Sequence, residues 1–281
     1  MVIRKIVNVI RMKPAVRLLI YPYVVIRTKI EISKYKKSQD AARLRELKGQ
    51  YSGKRCFIIG NGPSLTIEDL MLIKDEYSFA SNGIVHLFDK TEWRPNWYMV
   101  VDKVIISQMF SWNKQIFDGI ESFVYDREFV EKNRDSMNVH YFTHGGKYSI
   151  FPEKQCFDKP SEDVSCYFSR SQTIATSMIE LAMYLGFTDI YLLGFDHSFP
   201  IEKTSDGKCK RDNNVNHHFA GYKGKVWNVA YIDAISKAYE QISKYIENRN
   251  VRIVNCTRGG HLEIFSRAKL EDIVGNNDNK D

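Results

Sequence analysis

Arg55-Cys56-Phe57-Ile58-Ile59-Gly60-Asn61-Gly62-Pro63-Ser64-Leu65 is the stretch that decides the fold. The run RCFII has no polar alternation, so it reads as a strand covered on both faces rather than one facing water. It stops at Gly60, and the helical segment Thr66 to Ile73 follows directly. A buried strand, a glycine turn and a helix make the opening of a strand–helix–strand unit.

The same alternation continues outward. Tyr77 to Ala80, Trp97 to Val101, Ser122 to Tyr125 and Val139 to Phe142 read as further strands. Thr173 to Leu185 has helical apolar spacing in Ile174, Met178, Leu181, Ala182 and Leu185. Asp189 to Leu193 (DIYLL) is the clearest buried strand, Val229 to Asn248 a long amphipathic helix, and Val251 to Val254 a last strand. Strands alternating with helices predict an α/β, Rossmann-like domain over residues 54–274, with a mainly parallel sheet and helices on both faces. Ligands on such sheets gather at the carboxyl ends of the strands.

The flanks differ in composition. Residues 1–37 hold ten basic residues against one acid, Glu31, and so carry +9. The whole chain has 41 basic and 34 acidic residues, which leaves 31 against 33 for the remainder, a charge of −2. A near-neutral body argues against a nucleic-acid groove, because phosphate backbones need a basic surface on the domain itself. Residues 1–37 interleave their cations with Val2, Ile3, Ile6, Ile10, Val16, Leu18, Leu19 and Ile20. That is the composition of a helix lying in a bilayer interface on anionic lipid. The longest apolar stretch, Leu18 to Ile26, contains Pro22 and falls short of the roughly 20 residues of a spanning helix. Arg11, Lys13 and Arg17 also break the pattern of a cleavable signal peptide. Residues 38–53 read as a polar helix or linker, and residues 275–281 as a disordered tail. Five widely spaced cysteines with no CxxC pair indicate neither a disulfide framework nor a zinc site. The expected place is the cytoplasm, peripheral on the inner face of the cell membrane.

Three segments carry candidate chemistry. Gly60-Asn61-Gly62-Pro63-Ser64 follows a strand and precedes a helix, so its backbone N–H groups and the helix N-terminus suit a nucleotide phosphate or ribose. It is neither GxGxxG nor a Walker loop. Gly194-Phe195-Asp196-His197 ends the DIYLL strand, where Asp196 can bind ribose hydroxyls, coordinate a metal or cap a turn. Asn213, Asn214, Asn216, His217 and His218 form a polar cluster, and a loop histidine can act as general base because its pKa lies near ~6.5. His197, His217 and His218 fit no zinc spacing and no Asp-x-Asp pair marks a magnesium site, so no required metal is expected.

Taken together, GNGPSL, LGFTDIYLLGFD and NHHFAG resemble the superfamily that joins small bacterial CMP-sialic acid sialyltransferases to hydroxymethylpterin diphosphokinase-like domains. The likeness covers about residues 54–268, with the three motifs in the same order. It implies a donor nucleotide contacted by Asn61 and by Asn82 of FASNG, with Asp102 standing where those enzymes have a third asparagine. Of their threonine–serine–glycine element only Thr173 survives, between Gln172 and Ile174. Their general-base histidine matches His218, and His217 is the adjacent candidate. The tyrosines that hold the leaving phosphate are absent, with His197 and Phe199 in that region, so Arg170, His197 or Lys225 would take over. Asn255 to Glu263 (NCTRGGHLE) matches the broader domain better than the sialyltransferases.

The resemblance implies an inverting glycosyltransferase moving a sugar, sialic acid-like, Kdo-like or related, from a CMP-activated donor to a hydroxyl of a bacterial surface glycan or glycolipid. His218 would be the base; Gly60, Asn61, Gly62, Ser64, Asn82, Asp102 and Gly194 would hold the donor, with Asp196 beneath it and Thr173 near the phosphate. No cofactor is required beyond the CMP-sugar co-substrate. The expected partners are the donor, the acceptor and the membrane surface, with homo-oligomer formation left open. The alternatives are a pterin diphosphokinase, which would need ATP and magnesium held by Asp102 and Asp196, and a non-catalytic scaffold of a polysaccharide assembly complex.

Overall fold

The computed structural model describes residues 14–146, 157–197, 201–203, 209–211 and 232–275. The chain enters through helices α1 (Pro14–Lys36) and α2 (Gln39–Leu47). It then runs through β1 (Arg55–Ile59), α3 (Ile67–Leu72), β2 (Ser78–Ser81), β3 (Trp97–Val100), α4 (Lys103–Met109), β4 (Glu121–Val124), α5 (Arg127–Asn133) and β5 (Val139–Tyr141). The short strands β6 (His144–Gly145) and β7 (Phe168–Ser169) lead into α6 (Ile174–Leu185) and β8 (Asp189–Leu193). A hairpin of β9 (Ile201–Lys203) and β10 (Cys209–Arg211) precedes α7 (Ile232–Ile246), β11 (Arg252–Asn255), β12 (Ser266–Arg267) and α8 (Leu270–Gly275).

Eight strands form one sheet in the order β12-β11-β8-β1-β2-β3-β4-β5, and it is parallel, as the sequence predicts. The unbroken apolar runs lie at its centre: Cys56 pairs with Ile190 and Ile59 with Leu193. Cys56 to Ile59, Ile190 and Leu192 are all but inaccessible. α6 packs on β1, β2 and β3, α5 on β4 and β5, and α7 against α6. Cys56, Cys166 and Cys256 are free thiols.

α4 and α5 went unread in the sequence. α4 (KVIISQM) is short and rich in β-branched residues, so it has little intrinsic preference for helix. It forms where Asp102, as N-cap, accepts a hydrogen bond from the Val104 N–H at 2.7 Å. α5 is likewise started by Asp126, which caps the Phe129 N–H at 2.9 Å. The segment read as a polar helix or linker is α2, capped by Ser38, and its Ala41, Leu44 and Leu47 are buried in the core. Asp40 is buried as well, in an ion pair with Arg134 at 2.8 Å, while Arg43 pairs with Glu121 at 2.7 Å.

One buried carboxyl group holds the approach to α6. Glu180 accepts the backbone N–H of Ser161 at 3.0 Å through Oε1 and that of Ser169 at 2.9 Å through Oε2. Burial pushes its pKa up to about 8, against the pull of those donors. A raised folded pKa means that this group's contribution to stability is complete below the ordinary value of 4.5 and is lost as pH rises through about 8. The melting temperature of the native chain should therefore fall more steeply than that of Glu180→Gln as pH rises through this interval, when the two are compared by calorimetry. Parallel curves would show that Glu180 ionises without cost.

Candidate functional site

β1 and β8 are neighbours, but after β1 the chain steps to β2 and onward, and β8 is laid down on the other side of β1. At the carboxyl ends of these two strands a crevice opens, bordered also by the start of α6 and by α7. The pocket there, about 180 Å³, is lined by Gly60, Asn61, Gly62, Asn82, Thr173, Gly194, Asp196 and His197 among the expected residues. Ser81, Phe195, Met178, Ile235, Tyr239 and Leu262 are among its other wall residues. The lining thus mixes polar and apolar residues, which suits a ligand with both a flat ring and charged or hydroxyl groups.

The glycines allow three loops to close on one another. The Gly62 N–H donates to the Gly194 carbonyl at 2.9 Å, and a Cβ on Gly62 would lie 1.8 Å from Asp196 Oδ2. Asp196 receives the Ser64 hydroxyl at 2.8 Å and the Ser64 N–H at 3.3 Å. Its backbone carbonyl accepts the His261 N–H at 2.8 Å, and the Thr257 hydroxyl accepts the Phe195 N–H at 2.9 Å. The NCTRGGHLE segment is therefore the third loop of the site, which its sequence alone did not place.

Two asparagines face the pocket with unmet capacity. Asn61 donates its amide to the Ser81 carbonyl at 3.1 Å, leaving Oδ1 buried with no partner among the described residues. Asn82 Oδ1 is in the same condition. Asn82 also takes a left-handed φ of 48°, which asparagine tolerates better than most residues, and its carbonyl is held by the Tyr98 hydroxyl at 2.7 Å. Thr173 caps α6 by accepting the Ala175 N–H at 3.3 Å, so the positive end of this helix also borders the pocket.

Tyr239, from α7, hydrogen-bonds the Thr173 side chain, and burial pushes its phenol far above the ordinary range. His197, at φ 49°, shares a hydrogen bond with the Ser236 hydroxyl at 2.8 Å. Burial, with a smaller contribution from His261, lowers its pKa, so the ring is neutral near pH 7. Nothing in the sequence pointed to Tyr239 beyond its place on an amphipathic helix.

Other expected residues lie elsewhere. Ser64 touches the site only through Asp196, and Asp102 caps α4 rather than lining the pocket. Arg170 lines a separate cavity with Lys36, Lys159 and Gly145, where its charge adds to the burial that lowers His144 to about 3. His217, His218, Lys225, Phe199 and the Asn213, Asn214 and Asn216 cluster lie outside the described residues. Among the described residues no three His, Cys, Asp or Glu side chains could together hold a metal ion.

A family model described as 6-hydroxymethylpterin diphosphokinase MptE-like matches residues 30–202, more than half of the chain. The chain belongs to this family. The MptE-like match begins inside α1, upstream of the boundary expected at residue 54, and so takes in α2 and both strands that form the crevice. Among solved structures, the MAf glycosyltransferase from Magnetospirillum magneticum AMB-1 is similar at 14% identity and a TM-score of 0.47, over 85% of this chain and 38% of that one. A short-chain dehydrogenase from Oenococcus oeni PSU-1 is similar at 10% identity and a TM-score of 0.21, over 80% of this chain and 88% of that one. The MptE-like chain thus spans 38% of the length of the MAf protein. No curated protein sequence matches it.

The closure around Gly62 predicts a graded response. Gly62→Ala forces a methyl group into Asp196 and should cost roughly 1–3 kcal/mol, as overpacking usually does. Ser64→Ala removes one hydrogen bond, worth about 1 kcal/mol. Denaturant titration of both variants checks this order; equal midpoints would mean that the loops are not locked together.

Proposed function

We propose that the MptE-like chain is a glycosyltransferase that takes a sugar from a nucleotide donor, a CMP-sugar, to a hydroxyl of a surface glycan. The observation that carries this reading is the pair of buried oxygens on Asn61 and Asn82, without partners among the described residues, in a pocket that the capped N-terminus of α6 also lines. Buried acceptors left unpaired are costly, so they mark where a ligand brings donors. A nucleoside supplies such donors as ribose hydroxyls or an exocyclic amine, and its phosphate suits the helix N-terminus.

The chemistry is an inverting displacement. A base removes the acceptor hydroxyl's proton, the oxygen attacks the anomeric carbon, and the bond to the phosphate oxygen breaks as CMP leaves. We assign the base to His218. The described residues on either side of its segment, His197 and Ile235, both line the pocket, which supports this assignment. Thr173, the α6 N-terminus and neutral His197 would stabilise the departing phosphate. Sialic acid itself as the sugar is not favoured, because the phosphate-binding tyrosines of that family are missing.

The diphosphokinase reading asks Asp102 and Asp196 to hold magnesium. Asp196 is engaged by Ser64 through both oxygens, and Asp102 caps a helix, so both carboxylates already have structural partners. Transfer without a required metal agrees better with this arrangement, and activity on a CMP-sugar should survive chelation by EDTA. Loss of activity with rescue by magnesium would return both carboxylates to the role of ligands.

Thermal shift with a nucleotide panel distinguishes the readings: stabilisation by CMP supports the transferase, and stabilisation only by ATP with magnesium supports the kinase. Asn61→Ala and Asn82→Ala should each weaken CMP binding by about 3- to 10-fold, the usual size of one hydrogen bond. His218→Ala should lower turnover by roughly 100-fold or more with donor affinity little changed, and should abolish the acid limb of the pH profile. A normal rate for His218→Ala with a collapsed rate for His217→Ala would transfer the role to His217.

A further inference from the structure

α1 meets the body along one side only. Glu31 pairs with Arg127 at 2.5 Å and accepts the Tyr141 hydroxyl at 3.2 Å, and Tyr35 is fully buried with its hydroxyl donating to the Val164 carbonyl at 3.4 Å. On the helical wheel the opposite side carries Leu19, Tyr23, Ile26 and Ile30, at alternating spacings of four and three, and the stripe ends at the exposed Ser33. Their exposures are 79% for Leu19, 63% for Tyr23, 58% for Ile26 and 51% for Ile30. In the sequence the same spacing runs back through Val16, Met12 and Val9.

Exposed apolar side chains in a continuous stripe mark a docking surface, and the charges beside it identify the occupant. Arg27 and Lys34 border the stripe on one side and Lys29 and Lys36 on the other, all exposed. In a two-stranded coiled coil these are the flanking positions, where a second copy would set cations against cations in either orientation. Pro22 within the helix further disfavours a long straight seam, since it removes a backbone donor and kinks the helix. Apolar side chains edged on both sides by cations fit instead an anionic bilayer interface, with side chains in the acyl boundary and cations among the headgroups.

We infer that α1 docks the protein on an anionic lipid surface through Leu19, Tyr23, Ile26 and Ile30. No helix among the described residues is long and apolar enough to cross a membrane, which agrees with a helix lying in the interface. Position along the sheet adds a consequence. Glu31 contacts the ends of β4 and β5, through Arg127 and Tyr141, whereas Arg43 contacts Glu121 at the start of β4. From Glu31 to Arg43 the chain therefore runs from the carboxyl edge of the sheet, which carries the pocket, toward its amino edge.

Flotation of the full-length chain with vesicles tests this, with phosphatidylcholine alone compared against phosphatidylcholine mixed with phosphatidylglycerol. Binding is expected only to the anionic vesicles. Lys29→Gln with Lys34→Gln should weaken it roughly 30-fold, from the usual attraction of two cations near such a surface. Ile26→Asp with Ile30→Asp should abolish it with little change in melting temperature, because each residue is more than half exposed and neither belongs to the buried core. Undiminished flotation of the aspartate variant would overturn the inference. So would a native chain that ignores anionic vesicles but sediments as a dimer that the same aspartates dissociate. Flotation needs no nucleotide, so failure here and failure of CMP binding are separate results.

Discussion

The structure depends on the close approach of two backbones at the carboxyl ends of β1 and β8. Gly60 and Gly62 both donate N–H groups to the neighbouring strand end, at 2.7 Å to Leu193 and 2.9 Å to Gly194. A side chain at Gly60 would lie 2.3 Å from the Gly194 carbonyl oxygen, so only glycine permits the contact. Gly194 itself takes φ 70°, a conformation that glycine adopts without penalty. With the turns this tight, Asp196 reaches Ser64, and the two loops become one rigid wall of the crevice.

α6 connects that wall to the core. Its buried face fills the space above β1, β2 and β3, and its length is set by Thr173 at the start and by Gly186, at φ 102°, at the end. The same helix therefore fixes the position of its N-terminus in the pocket and, through Glu180, of the segment that leads to it. Charge serves a different purpose below the strands. Asp40 and Glu121 are held below the usual carboxylate range: burial raises them, but hydrogen bonds from His140, with Arg134 on Asp40 and Arg43 on Glu121, more than reverse it. His140 rises correspondingly: its own burial opposes this, and the two carboxylates outweigh it. This network pins α2 to the sheet and sets the direction in which α1 leaves the body.

The functional reading needs three features to coincide: unpaired acceptors, the positive end of a helix and an apolar wall. Each alone is common in folded proteins. Their convergence on one crevice, at the place where strand order reverses, is what supports the proposed nucleotide.

Much of this was legible in the sequence. The unbroken apolar runs of β1 and β8 required a sheet covered on both faces, and the glycines after them marked where backbones would come close, because burial and backbone sterics are local properties of residue type. Asn61, Asp196 and His197 were readable for the same reason, since each closely follows a strand, whereas Asn82 and Thr173 were implied only by the family resemblance. The tertiary structure alone decided which polar groups meet. Asp102 is spent on capping α4, Arg170 turns into another cavity, and Tyr239 and Leu262 arrive at the pocket from distant segments. Periodicity fixes the face of an element on which a side chain sits, but the partner across the gap depends on strand order and loop path, which bring together residues such as Ser64 and Asp196, 132 positions apart.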